Sequence, residues 1–216
     1  MVPAMYAALA ILLLAIAYRV AGAFDLALSN ISPLMAITFC GAVYSKRRWL
    51  WLVPFVALLA SDIFINQHYQ SQYGFDWRIS GFIARSACFA FAVWLGRRIS
   101  TRKSWLWLLN GSLLGALVFY LVTNTQSWWS DLFYARSAAG WWQALTIGHP
   151  QYPPTYLFLL RSLFGDIMFT GLFAGLMEWM ASSRGEPSLL DPTEDAEPGN
   201  EAAEGEAEET VADAGN

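Results

Sequence analysis

The chain has 216 residues, of which 56% are hydrophobic and 16% aromatic, a composition too apolar and too rich in tryptophan for a water-soluble domain of this size. Its formal charge of -4 is unevenly placed: 11 of the 17 acidic residues follow Ser183 beside a single base, Arg184, whereas residues 1–183 hold 12 bases and 6 acids. The balance excludes an ordinary soluble enzyme and predicts a basic membrane part followed by an acidic tail.

The first apolar run, residues 4–18, precedes Arg19 and approaches the length of a bilayer crossing if it continues to Ala23, at about 1.5 Å per helical residue. Ala21-Gly22-Ala23 also resembles a signal-peptide cleavage site, but no basic segment precedes the run. The second run, residues 32–44, is short and carries Pro33 where a first helical turn tolerates it. It reads as a helix that is tilted, partly re-entrant, or short because it lines a cavity. Further runs span residues 49–65, 79–95, 105–122 and 156–181. The fold class expected is therefore all-α, a polytopic bundle of about six transmembrane helices over residues 1–183.

Threaded six times, the chain puts Lys46-Arg47-Arg48, Arg97-Arg98 with Arg102-Lys103, and Arg184 on one side. Basic loops stay inside, so both termini are expected in the cytoplasm of a bacterial cell, with the bundle in its inner membrane. Residues 184–216 mix Glu, Asp, Ala, Gly and Pro and are expected to form a disordered acidic tail, either simply solvated or recruiting a cytoplasmic protein. The outer segment, residues 124–155, is long for a connector and rich in aromatics, including Trp128, Trp129, Trp141 and Trp142. It reads as an aromatic belt with a short helix near residues 140–147, or as a lid over an outward-facing pocket.

Soluble-enzyme chemistry has no foothold. Cys40 and Cys88 lie in apolar runs as free thiols, His68 and His149 are isolated, and no phosphate loop, dinucleotide fingerprint or serine elbow is present. No catalytic role, cofactor, metal or nucleic-acid partner is expected. The polar residues at membrane depth are more informative. Asp62, Arg85, Arg161 and Asp166 fall in the outer half, with Arg19, Asn30 and Asn124 at a similar level. Ionised groups there face the bundle interior, a partner or water. Asp62 and Asp166 are expected to pair with Arg85 and with either Arg161 or Arg19, since arginine offers a carboxylate a bidentate fork. The candidate substrate-binding set is Asn30, Asp62, Arg85, Asn124, Trp128, Arg161 and Asp166. The same charges also read as structural ion pairs tying helices together, or as snorkelling arginines.

Glu178 reads as an anchor near the cytoplasmic interface. Gly111 with Gly115, and Gly171 with Gly175, have the GxxxG spacing that admits close helix approach. Ala4, Ala8, Ala17 and Ala21 give the first run a small-residue face, fit for internal packing or for another membrane subunit.

SNISPLMAITFCGAVYSKRRW (residues 29–49) with LVPFVALLASDIFI (residues 52–65) resembles a family of uncharacterised bacterial membrane proteins regarded as candidate transport proteins. TNTQSWWSDLFYARSAAGWWQAL (residues 123–145) and LRSLFGDIMFTGLFAG (residues 160–175) are similar to that family's second block. The matching positions include Asn30, Pro33, Gly41, Pro54, Asp62, Asn124, Trp128, Tyr134, Gly140, Gly165 and Asp166. The family in turn resembles the substrate-binding S components of energy-coupling factor transporters. The resemblance implies capture of a vitamin or similar micronutrient, with a transmembrane coupling subunit and cytoplasmic ATPases as partners. A membrane scaffold or assembly partner, using the tail for recruitment, is the reading from another class.

Overall fold

The structure is a computed structural model, and it describes residues 13, 16–22, 24, 33–44, 52–73, 79–101 and 104–190. Among these residues all regular structure is helical. A stretch over residues 16–22 is α1, followed by α2 (Pro33–Tyr44), α3 (Leu52–Tyr73), α4 (Ile79–Ile99), α5 (Trp105–Ser130), α6 (Ala138–Leu145) and α7 (Thr155–Ser182).

Local chemistry sets the ends. Ser104 caps α5 by accepting a hydrogen bond from the Trp107 N–H, and Ser137 caps α6 through Gly140 N–H. Gly185, at φ 69°, terminates the turn after α7 in the left-handed region that glycine adopts without a Cβ clash. α3 and α5 run furthest past their apolar stretches. α3 continues past Ile65 to Tyr73, and α5 past Val122 to Ser130. The added turns of α5 are polar, but their side chains bond back into the helix: Thr123 Oγ1 donates to Phe119 O at 2.7 Å and Asn124 Nδ2 to Tyr120 O at 2.8 Å.

α4, α5 and α7 are long and apolar enough to cross a membrane. Their outward residues are apolar as well: Ile83, Trp94, Leu106, Leu117, Phe164, Leu172 and Trp179 are all exposed. A helix that is apolar on its buried and exposed faces alike is suited to lipid.

α2 is the hub, packed on α4, α5 and α7. Leu34, Ala36, Thr38, Phe39, Cys40, Ala42 and Val43 are all buried. Glycine lets the backbones approach. A Cβ on Gly96 of α4 would stand 2.6 Å from the Phe39 carbonyl oxygen, and one on Gly111 of α5 would stand 2.5 Å from the Phe39 ring. Gly171 and Gly175, despite the same spacing as the α5 pair, are in no such crossing: a Cβ on either meets nothing within 4 Å.

α2 has 12 residues and is about 18 Å long, too short for the roughly 30 Å hydrocarbon layer. Its first turn meets Asp166, the twelfth residue of α7, while Tyr44 at its other end lies 5.9 Å from the Phe173 ring. It therefore fills the half of the bundle nearer Arg97 and Arg98, and the half nearer α6 is left to the other helices.

The chain stays packed against α7 for several residues after Ser183. Glu178 accepts hydrogen bonds from the Ser188 hydroxyl (2.6 Å) and the Leu189 N–H (3.0 Å), and Leu190 is buried in the core. The acidic composition that follows masks this short apolar return, so the folded part reaches Leu190. Residues 191–216, with most of the expected tail, lie outside the described residues, as do Asn30, Lys46-Arg47-Arg48 and Arg102-Lys103.

Candidate functional site

Asp62 is the centre of the polar cluster. It is 4% exposed on α3 and is flanked by Ser61, also buried. Arg85 reaches it from α4 with Nε at 2.9 Å and Nη2 at 2.7 Å, both on Oδ2. Arg19 reaches it from α1, donating to Oδ1 through Nη2 while its Nε donates to Ser61 Oγ at 3.0 Å. One carboxylate thus holds two guanidinium groups from two other helices. The three side chains sum to one positive charge, and both arginines are only partly exposed.

The expected pairing is met for Asp62 and corrected for Asp166. Arg19 and Arg85 converge on Asp62, so neither serves the second carboxylate. Asp166, 5% exposed, instead faces the start of α2, where the Ala36 backbone N–H bonds it. Its Oδ1 has no hydrogen-bond partner among the described residues. The reason is the position of α2: Pro33 starts a helix beside Asp166, and a helix N-terminus offers free N–H groups and partial positive charge.

The other candidates are dispersed. Asn124 is held by its own helix, as above. Trp128 Nε1 donates to Ala135 O at 2.9 Å, and its carbonyl accepts from Arg136, so this residue fastens the segment after α5. Arg161 is half-buried on α7 and Asn30 is outside the described residues.

Residues 131–154 are fastened against α5. The Tyr120 hydroxyl donates to Leu145 O, and Trp141 Nε1 donates to Thr125 Oγ1 at 2.9 Å, which docks α6 on α5. The Phe133 and His149 rings lie 4.2 Å apart, tilted by 50°. Gly140 lies so close to the Ala135 carbonyl that a Cβ would stand 2.1 Å from its oxygen. Tyr134 is buried here, and burial, aided by nearby Asp131, raises its pKa above the usual phenol value. Among the aromatics of residues 124–155, Trp128 and Trp141 hydrogen-bond within the segment and to α5, Tyr134 is buried, and Trp129 and Trp142 are exposed.

Beside this segment, a shallow groove of about 450 Å³ runs between the start of α4 and the end of α5. Its exposed lining is mostly apolar, with Leu121, Val122 and Trp129 beside Ser80, Thr125, Gln126 and Ser130. A Cβ on Gly81 would meet Arg85 Nη1 and Gln126 Oε1 at 3.4 and 3.7 Å, ordinary contact distances, so both groups lie near the groove's edge. Gln126 and Thr125 were not among the sequence candidates, because in the sequence they read as loop. The described residues include no cluster of His, Cys, Asp and Glu able to hold a metal ion, and Cys40 and Cys88 are free and buried.

No curated protein and no solved structure matches the chain. A family profile does, over residues 2–189, covering the helices and the return to Leu189 but not the remaining acidic tail. The chain belongs to the family of unknown function DUF6580.

Proposed function

We propose that this is a multi-pass inner-membrane transport protein, with about six crossings and both termini cytoplasmic, that captures a small anionic compound from the outer side. The observation that carries this reading is the pair of guanidinium groups on the single carboxylate of Asp62. Positive charge in excess of its counter-charge is costly at membrane depth. A carboxylate- or phosphate-bearing ligand would relieve that cost, and Arg85 is placed between Asp62 and the edge of the groove at Gln126. Vitamin-like acids suit this chemistry, as does the resemblance to S components. In that scheme a separate coupling subunit and cytoplasmic ATPases would supply the energy.

The test is a thermal-shift screen of the detergent-solubilised chain against acidic vitamins, their precursors and nucleotides, repeated on Arg85→Gln and Arg161→Gln. A ligand at 100 times its Kd adds about 2.7 kcal/mol of stability. A hit weakened in Arg85→Gln supports capture through that guanidinium, and a screen without hits speaks against it.

A second reading rests on a different feature of the same cluster. Asp62 is buried and accepts from both arginines, which ties α1 and α3 to α4 as a scaffold would require. Under it, no ligand stabilises the chain and the acidic tail recruits a cytoplasmic partner.

A further inference from the structure

α2 starts inside the bundle. Asp166, which meets its first turn, lies eleven residues after the start of α7, or about 17 Å along that helix. Its carboxyl is buried, takes the Ala36 N–H, and leaves Oδ1 with no partner among the described residues.

We propose that Asp166 is an exchangeable proton site in the middle of the membrane, with Oδ1 as the atom that takes up the proton. A buried carboxylate oxygen with no donor loses its hydration and gains nothing in return, and a proton removes that cost. A metal ion fits poorly. It needs several oxygen ligands, whereas the described residues bring no group of three His, Cys, Asp or Glu side chains together, and the positive end of α2 repels a cation.

The groups on the packed elements leave Asp166 as the titrating centre. α2 brings the Cys40 thiol, close enough to sense the carboxylate, and the Thr38 hydroxyl, which donates to Leu34 O. α5 brings Ser112, which accepts from Thr170 of α7 at 2.9 Å, and Tyr120, which is bonded to Leu145 O. α1 brings Tyr18, edge-on to Phe169, and Arg19, committed to Asp62 together with Arg85 of α4. On α7 itself, Arg161 precedes Asp166 by five residues, and Glu178, three turns on, is occupied by Ser188 and Leu189. The ionised carboxylate attracts the N-terminus of α2 and the neutral acid does not, so the proton sets how firmly α7 holds the central helix. The proposal rests on the membrane-spanning reading and not on the nature of the captured compound.

Dicyclohexylcarbodiimide partitions into apolar phases and reacts with protonated carboxyl groups. Membranes containing the full chain are treated with it over a range of pH, washed with alkaline carbonate, and mapped by peptide mass. The expected result is an adduct on Asp166 whose yield falls as pH rises, with ion-paired Asp62 unlabelled. Asp166→Asn should lose the adduct and Asp166→Glu should keep it, while mapping of the wild type decides the matter if either variant misfolds. A membrane-retained chain without label on Asp166 at any pH overturns the proposal. So does protection by sodium chloride but not choline chloride, which would make this a metal-cation site. Release of the chain by carbonate overturns the membrane reading, and this proposal with it.

Discussion

Replacing Asp62 by asparagine keeps the side-chain shape but leaves the guanidinium groups of Arg19 and Arg85 facing one another without a counter-charge. Removing one partner of a buried ion pair costs about 3–5 kcal/mol, because the remaining charge stays desolvated. Asp62→Asn is therefore expected to lose stability in that range, measured by thermal unfolding in detergent. Arg85→Lys should lose less, since it retains the charge and forfeits only the two-pronged contact. The link between Asp62 and an arginine is legible in the sequence, because a carboxylate in an apolar run requires compensation. The partner of Asp166 is not legible in the same way. It is a backbone N–H of α2, and only the depth at which that helix begins brings Ala36 to it. Glu178 illustrates the same limit, since its partners, Ser188 and Leu189, are one main-chain and one side-chain donor in a segment dominated by acids.

The apolar runs locate the helices well and their ends less well. Hydrophobicity reports the length that faces lipid or core, whereas helical hydrogen bonding continues wherever polar side chains satisfy themselves on the same helix. Asn124 and Gln126, read as loop in the sequence, and Thr123 just before them are helical for this reason. The short helix after Ser137 is legible from its apolar and aromatic residues, but its docking through Tyr120 and Trp141 is a tertiary matter. GxxxG spacing marks small residues and leaves their neighbours unspecified. A methyl group on Gly96 would strike the Phe39 backbone and the Ala42 side chain, so Gly96→Ala must push α2 away from α4. Overpacking of this kind costs about 1–3 kcal/mol. Gly175→Ala meets open space and should be neutral or stabilising by up to about 1 kcal/mol, through the better helix propensity of alanine. Comparing the melting temperatures of the two variants tests whether α2 is the hub.

At the scale of the whole molecule, the distribution of charge governs orientation. Arg97 and Arg98 close α4, and Arg184 follows α7, at the opposite end of the bundle from α6. Membrane proteins keep such basic clusters on the cytoplasmic side. On that rule the long, packed segment around α6 is expected to face outward. Charge and hydropathy make this much readable, because they determine which solvent each part prefers; the chemistry of a captured compound depends on side chains brought together from separate helices, as with Arg19 and Arg85. The orientation is open to a direct measurement. Ile147, just after α6, is exposed, and the native Cys40 and Cys88 are buried, so background reaction should be low. In intact spheroplasts, a cysteine introduced by Ile147→Cys should react with a membrane-impermeant maleimide, whereas one introduced by Ala214→Cys should react only after permeabilisation. The reverse pattern would invert the bundle. Labelling of both positions before permeabilisation would place the two on the same side, giving an odd number of crossings after α6 no place and overturning the six-helix topology.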